Sequence, residues 1–132
     1  MKNSKFNPGT INWLDLTTGN AEANRNFYAE VAGWKVEPIP MKDENGNYED
    51  YVMKLPDGTP VAGICHHRGV NTGIPPLWIM YISVEDLPEA IEKAKNLGGK
   101  IIKEHKAKDG SIFYAMIEDP SGAIFGLAKT QF

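Results

Sequence analysis

A chain of 132 residues, 42% hydrophobic and 23% charged, has the size and composition of one ordinary domain that buries a core without staples. Its net charge of −3 arises from interleaved acids and bases with no basic stripe, so nucleic acid is not an expected partner. No apolar run approaches a membrane span, the opening residues Met1 to Phe6 lack the apolar stretch of a signal peptide, and Cys65 has no partner for an internal disulfide; the expected location is cytoplasmic.

Residues 11–18 are mostly apolar or β-favouring and open the chain as a strand. Asn20 follows a glycine as the expected cap of a helix that runs from Ala21, along which Ala23, Phe27 and Val31 mark the core stripe as far as Gly33. Lys35 to Ile39 reads as a strand, Met41 to Asn47 as a polar segment with an Asn45-Gly46 turn, and Tyr48 to Leu55 as the next strand. Asp57-Gly58 turns the chain into a strand over Val61 to His66. A stretch rich in Gly, Asn and Pro from about 67 to 76 then reads as a linker.

The order then begins again. Trp78 to Val84 is a strand, and Asp86-Leu-Pro-Glu89 is a capping box for a helix. Leu87, Ala90, Ile91, Ala94 and Leu97 form its core stripe, which Gly98 stops. Lys100 to Lys103, Ile112 to Ile117 and Ala123 to Lys129 are three more strands, with His105 in a Lys/Glu-rich loop between the first two. A shift of 66 residues lays Trp13-Leu-Asp-Leu-Thr-Thr over Ile79-Met-Tyr-Ile-Ser-Val, Gly33 over Gly99 and Val36 over Ile102. A shift of 64 lays Leu55-Pro-Asp-Gly58 over Asp119-Pro-Ser-Gly122. Two copies of one β-α-β-β-β unit are too few for a solenoid, and they tend to leave a cleft between them. The expected fold is α+β: two βαβββ modules, about 10–66 and 77–130, forming a cupped eight-stranded mixed sheet with outer helices in a single domain.

Phe27-Tyr28 with Val31-Ala-Gly33-Trp34, Val84-Glu-Asp86 before a helix ending in Leu97-Gly-Gly99, and Asp119-Pro-Ser-Gly122 before the last strand resemble the vicinal oxygen chelate superfamily. That superfamily includes glyoxalase I, extradiol dioxygenases, fosfomycin-resistance enzymes and bleomycin-binding proteins. Trp13-Leu-Asp-Leu-Thr-Thr with Val61-Ala-Gly-Ile64 is similar to its glyoxalase-like bacterial branch. The resemblance implies a divalent metal in the cleft, held by His, Glu or Gln from the first and last strand of each copy. Those positions here are Trp13, Ile79, Gly126 and either Ala62 or Gly63, none of which donates a lone pair to a metal. No cofactor is therefore expected.

Strand alternation sets Trp13, Asp15 and Thr17 on one face, and Ile79, Tyr81 and Ser83 on the matching face of the second copy. By resemblance that face is the cleft. Trp13, Asp15, Thr17, Tyr81, Ser83 and Tyr114 are thus the expected ligand-binding residues, with Trp78 adding aromatic surface. Asp15 is the candidate for orienting a ligand or for general base catalysis; its bland alternative is a structural bond to Tyr81. Cys65-His66-His67-Arg68 offers a second possibility, since Cys65 and His67 on one strand face begin a metal site, although no third ligand is evident. Its bland alternative is a strand end running into solvent.

The function that best fits is a glyoxalase-like protein that binds a small organic ligand without the family's metal-dependent activity, with a homodimer as the expected assembly. The competing readings are a lyase, isomerase or dioxygenase of the same superfamily with ligands at unusual positions, and a dimeric interaction module with no ligand.

Overall fold

The structure, a computed structural model, describes residues 7–129. The Met1 to Phe6 segment of the leader argument and Thr130, the end of the expected second module, lie outside the described residues. The elements run β1 (Ile11–Thr18), α1 (Ala21–Ala32), β2 (Lys35–Asp43), β3 (Gly46–Lys54), β4 (Pro60–His66), β5 (Trp78–Val84), α2 (Leu87–Asn96), β6 (Lys100–Lys106), β7 (Ile112–Glu118) and β8 (Ile124–Lys129). The α+β expectation is met, with eight strands in mixed pairing and two helices. No helix among the described residues is long and apolar enough to cross a membrane.

The chain forms two compact units. One is Trp13–Trp78; the other joins the residues up to Asn12 to those from Ile79 onward. In the first unit the strand order is β2-β3-β4-β1, with β1 parallel to β4 and the remaining pairs antiparallel. In the second the order is β5-β8-β7-β6, with β5 parallel to β8 and the rest antiparallel. Residues before β5's unit are drawn in by Ser83. Its N–H donates to the Thr10 carbonyl at 2.8 Å, its carbonyl accepts from the Gly9 N–H at 2.7 Å, and its hydroxyl accepts from the Asn12 amide at 2.6 Å.

Each helix covers one face of its own strands. In the first unit Ala21, Tyr28 and Ala29 of α1 pack on Tyr51, Met53, Ala62 and Ile64. In the second, Leu87, Ala90, Ile91 and Ala94 of α2 pack on Ala115, Ile117 and Leu127. The stripe read on α1 is therefore the wrong one: Phe27 is 57% and Val31 69% exposed. Ala21, Tyr28 and Ala29, at i, i+7 and i+8, face the core, and Tyr28 wins the place because its ring stacks on Trp34 and its hydroxyl accepts from the Trp78 indole at 2.9 Å. Trp78 is accordingly core in the helix-packed cluster, one residue out of phase with Ile79 and Tyr81.

Two other readings change. β2 runs through Pro40 and Met41 to Asp43, pairing with β3 down to Gly46, so the polar segment is a long hairpin arm rather than a loop. His105 lies within β6, opposite Tyr114, and not in a loop. At the helix starts the two copies also differ. Asp86 accepts from the Glu89 N–H at 3.0 Å, as its capping box requires. Asn20 makes no side-chain cap, and its own N–H donates to Thr18 Oγ1 at 3.2 Å.

The difference is measurable by urea unfolding. Asp86→Ala is expected to cost about 1 kcal/mol, the usual value of a lost N-cap, whereas Asn20→Ala is expected to cost no more than a few tenths.

Candidate functional site

The face that α1 leaves uncovered in the first unit carries Trp13, Asp15 and Thr17 from β1. Parallel pairing sets Asp15 opposite Gly63 and Thr17 opposite Cys65. The Trp13 indole N–H donates to Asp15 Oδ1 at 3.0 Å, and the Cys65 thiol donates to Asp15 Oδ2 at 3.7 Å. A carboxylate fixed from both sides is possible only because residue 63 is glycine: a Cβ there would fall on Asp15 Oδ1 and stand 3.4 Å from the indole nitrogen. Asp50 of β3, 5% exposed, adds a second acid, anchored by the His66 backbone N–H at 2.8 Å.

Burial dominates the electrostatics. Burial of its carboxyl in a half-buried residue, with Asp50's charge nearby, pushes Asp15 up to about 6, although its bonds from Trp13 and Cys65 pull the other way. Burial also pushes the Cys65 thiol up, with Asp15 and Asp50 adding to the effect. The surroundings of Cys65 thus favour the thiol over the thiolate that a nucleophile needs. Arg68, the cation nearest in sequence, is engaged elsewhere: it forks onto both Asp43 oxygens at 2.9 Å and lies 4.1 Å from the Tyr48 ring centre. His67 is exposed beyond the end of β4 and accepts from the Gly73 N–H at 2.9 Å. Among the described residues no group of three or more His, Cys, Asp or Glu is arranged to hold a metal ion.

The second unit repeats the geometry with different chemistry. Tyr81 stands opposite Gly126, and a Cβ at 126 would fall on the Tyr81 ring. Tyr81 meets Tyr114 edge to face at 5.6 Å, and Tyr114 stacks on His105 at 5.1 Å and 16°. Ile79 is buried at 2% exposure, and Ser83 is fully buried with its hydroxyl engaged by Asn12. The open alternative for the fourth metal position resolves here. Gly63 faces Asp15 as Gly126 faces Tyr81, so Gly63 is the counterpart, while Ala62 points into the helix-packed core.

The residues at the positions implied by the resemblance do not fit a divalent metal. Trp13 and Ile79 offer no lone pair, and the space in front of Gly63 and Gly126 belongs to Asp15 and Tyr81. Sequence reasoning missed Asp50, whose alternation with Tyr48 and Val52 on β3 was the available signal. It also placed His105, hidden by the lysines around it, in a loop rather than beside Tyr114 on β6.

A family model, the Glyoxalase/Bleomycin resistance protein/Dioxygenase superfamily, matches residues 10–127. The chain belongs to that superfamily, as its motifs implied. It is 32% identical over 127 residues to "Putative glyoxylase CFP32" of Mycobacterium tuberculosis, covering 96% of this chain and 48% of that protein. It is 25% identical over 137 residues to the anthracycline biosynthesis protein DnrV of Streptomyces peucetius, covering 94% and 48%. The chain thus spans about half the length of these relatives. Among solved structures, a methylmalonyl-CoA epimerase from Mycobacterium tuberculosis superposes with a TM-score of 0.56 at 11% identity, covering 92% of this chain and 87% of the other. The hypothetical protein BH1468 from Bacillus halodurans superposes with a TM-score of 0.59 at 11% identity, covering 93% and 95%. At such identity these two likenesses concern the fold alone.

The raised Asp15 carboxyl has a consequence for stability. In the unfolded chain Asp15 ionises near its ordinary value of 3.8, whereas in the fold it holds its proton up to about 6. The folded state binds more protons across that window, so stability falls as pH rises through it and the cost is complete above it. Asp15→Asn, which keeps the shape without the charge, is expected to raise Tm at about pH 7.5 and to leave it nearly unchanged at about pH 3.5, read by thermal melts.

Proposed function

We propose that this chain is a glyoxalase-like protein that binds a small organic ligand without a metal, at the faces carrying Trp13, Asp15 and Thr17 in one unit and Tyr81, Ser83 and Tyr114 in the other. One observation carries the reading. The Asp15 carboxylate is laid across Gly63 and oriented by the Trp13 indole, at a desolvation cost that a purely structural group has no reason to bear. In the first unit, indole and carboxylate give the apolar surface and fixed polar group that a small-molecule site uses. Thr17 and Ser83 are both buried, so each shapes the face of its own unit rather than presenting a free hydroxyl. The shared order and pairing of the two units support an internal repeat, and a cytoplasmic location fits the lone cysteine. The enzymatic alternative draws its support from the same carboxyl: a group titrating at about 6 is poised for general base work near neutrality.

The test is mass spectrometry of small molecules retained by the protein after incubation with a metabolite extract and gel filtration, alongside elemental analysis. An organic molecule retained at unit stoichiometry without metal, and lost in Asp15→Asn without loss of fold, is the expected outcome. Stoichiometric metal, or equal retention by both proteins, overturns the reading.

A homodimer belongs to the same proposal, with the exposed face of α1 as its contact. β2 carries Pro38 and Pro40, and β6 carries Lys100, Lys103 and Lys106 with two register shifts; both are poor templates for pairing. On α1, by contrast, Ala23, Phe27 and Val31 form an exposed apolar row. The corresponding turns of α2 carry Glu89 and Lys93, paired at 3.6 Å. Sedimentation equilibrium at micromolar concentration is expected to give a dimer for the parent and a monomer for Phe27→Ser.

A further inference from the structure

The two glycines opposite Asp15 and Tyr81 share a property that no turn or helix cap explains. Gly63 and Gly126 lie inside strands, and neither has a positive φ, so backbone conformation does not demand glycine at either place. What demands it is space. A Cβ on Gly63 would clash with Asp15 Oδ1 and stand 3.3 Å from its carboxyl carbon. One on Gly126 would enter the Tyr81 ring, 3.0 Å from Cγ even at its root. Glycine in a strand interior weakens the strand and marks a close approach. Here the approaching group is in each case the side chain directly across the parallel ladder.

We propose that Gly63 and Gly126 are positioning residues: the volume left by the missing side chain seats the Asp15 carboxylate against Trp13 and Cys65, and lays the Tyr81 ring flat across its partner strand. As a determinant of ligand recognition the proposal rests on the function proposed above, since it explains how the two groups are presented. As a statement about geometry it is tested without any ligand. Gly63→Ala forces the carboxylate off its strand, away from the indole and towards water. Gly126→Ala displaces the Tyr81 ring in the same way.

The Trp13 indole N–H is a built-in reporter, because it donates to Asp15. In a nitrogen-15 NMR titration its resonance, assigned by loss in Trp13→Phe, is expected to move with a midpoint of about 6 in the parent. The groups facing Asp15 are Cys65 from β4 and Asp50 from β3, besides Trp13 on its own strand. The Cys65 thiol stays protonated throughout this range, and Asp50→Asn controls for the second acid. In Gly63→Ala the movement of this resonance is expected to vanish, or its midpoint to drop towards the ordinary Asp value of about 4. An unchanged resonance and midpoint overturn the proposal, and leave the ligand reading to stand or fall on the retention experiment with Asp15→Asn.

If Gly63→Ala fails to fold, the double variant Asp15→Ala, Gly63→Ala decides. Folding with the Tm of Asp15→Ala alone supports the proposal, because removing the carboxylate then makes room for the methyl. Failure of the double variant overturns it, since Gly63 is then needed for something other than Asp15. The pair Tyr81→Ala, Gly126→Ala gives the same decision for the second unit.

Discussion

A β-strand has two faces, and in each unit a helix claims one of them. That constraint orders the rest of the molecule. Tyr51, Met53, Ala62 and Ile64 turn towards α1, so Asp50, Val52, Gly63 and Cys65 must turn the other way, where β1 presents Trp13, Asp15 and Thr17. The apolar stabilisation of the fold is concentrated on the first face, which frees the second to carry groups that are costly to bury. A one-residue slip of β4 would exchange the two sets and put Asp15 against Ala62. The parallel β1–β4 register and the antiparallel β3–β4 register hold that assignment from both sides.

Much of this was legible in the chain itself. The element order, the α2 cap and the face shared by Trp13 and Asp15 follow from alternation, from Asp86 and Glu89, and from the offset that lays one half over the other. What failed did so for identifiable reasons. On α1 both Ala23-Phe27-Val31 and Ala21-Tyr28-Ala29 satisfy helical spacing, and only the packing of Tyr28 against Trp34 and Trp78 separates them. Trp78 was grouped with Tyr81 by chemistry, although strand parity separates them by an odd number of residues. His105 was lost among lysines, because an edge strand that guards itself with charge reads as a loop. The seating of Asp15 is different in kind. Gly63 was named only as an empty metal position, and the sequence contains no sign that the emptiness is filled from across the ladder.

The comparison between the two units is also instructive chemically. The same backbone device, a side chain lying over a glycine on the neighbouring parallel strand, presents a carboxylate in one unit and a phenol ring in the other. In the first the seating is electrostatically expensive and in the second it is not, since a ring loses little on leaving water. The unit that bears the cost is the one whose neighbours, Asp50 and Cys65, add no positive charge.

Cys65 is the chain's only thiol, and it sits among two acids that discourage ionisation. Alkylating and oxidising reagents act on thiolates, so in the closed fold this sulfur presents almost nothing for them to attack. Detachment of β4 from β1 and β3 would take the sulfur away from both acids, so its modification rate under native conditions is a readout of how firmly the strand that seats Asp15 is held.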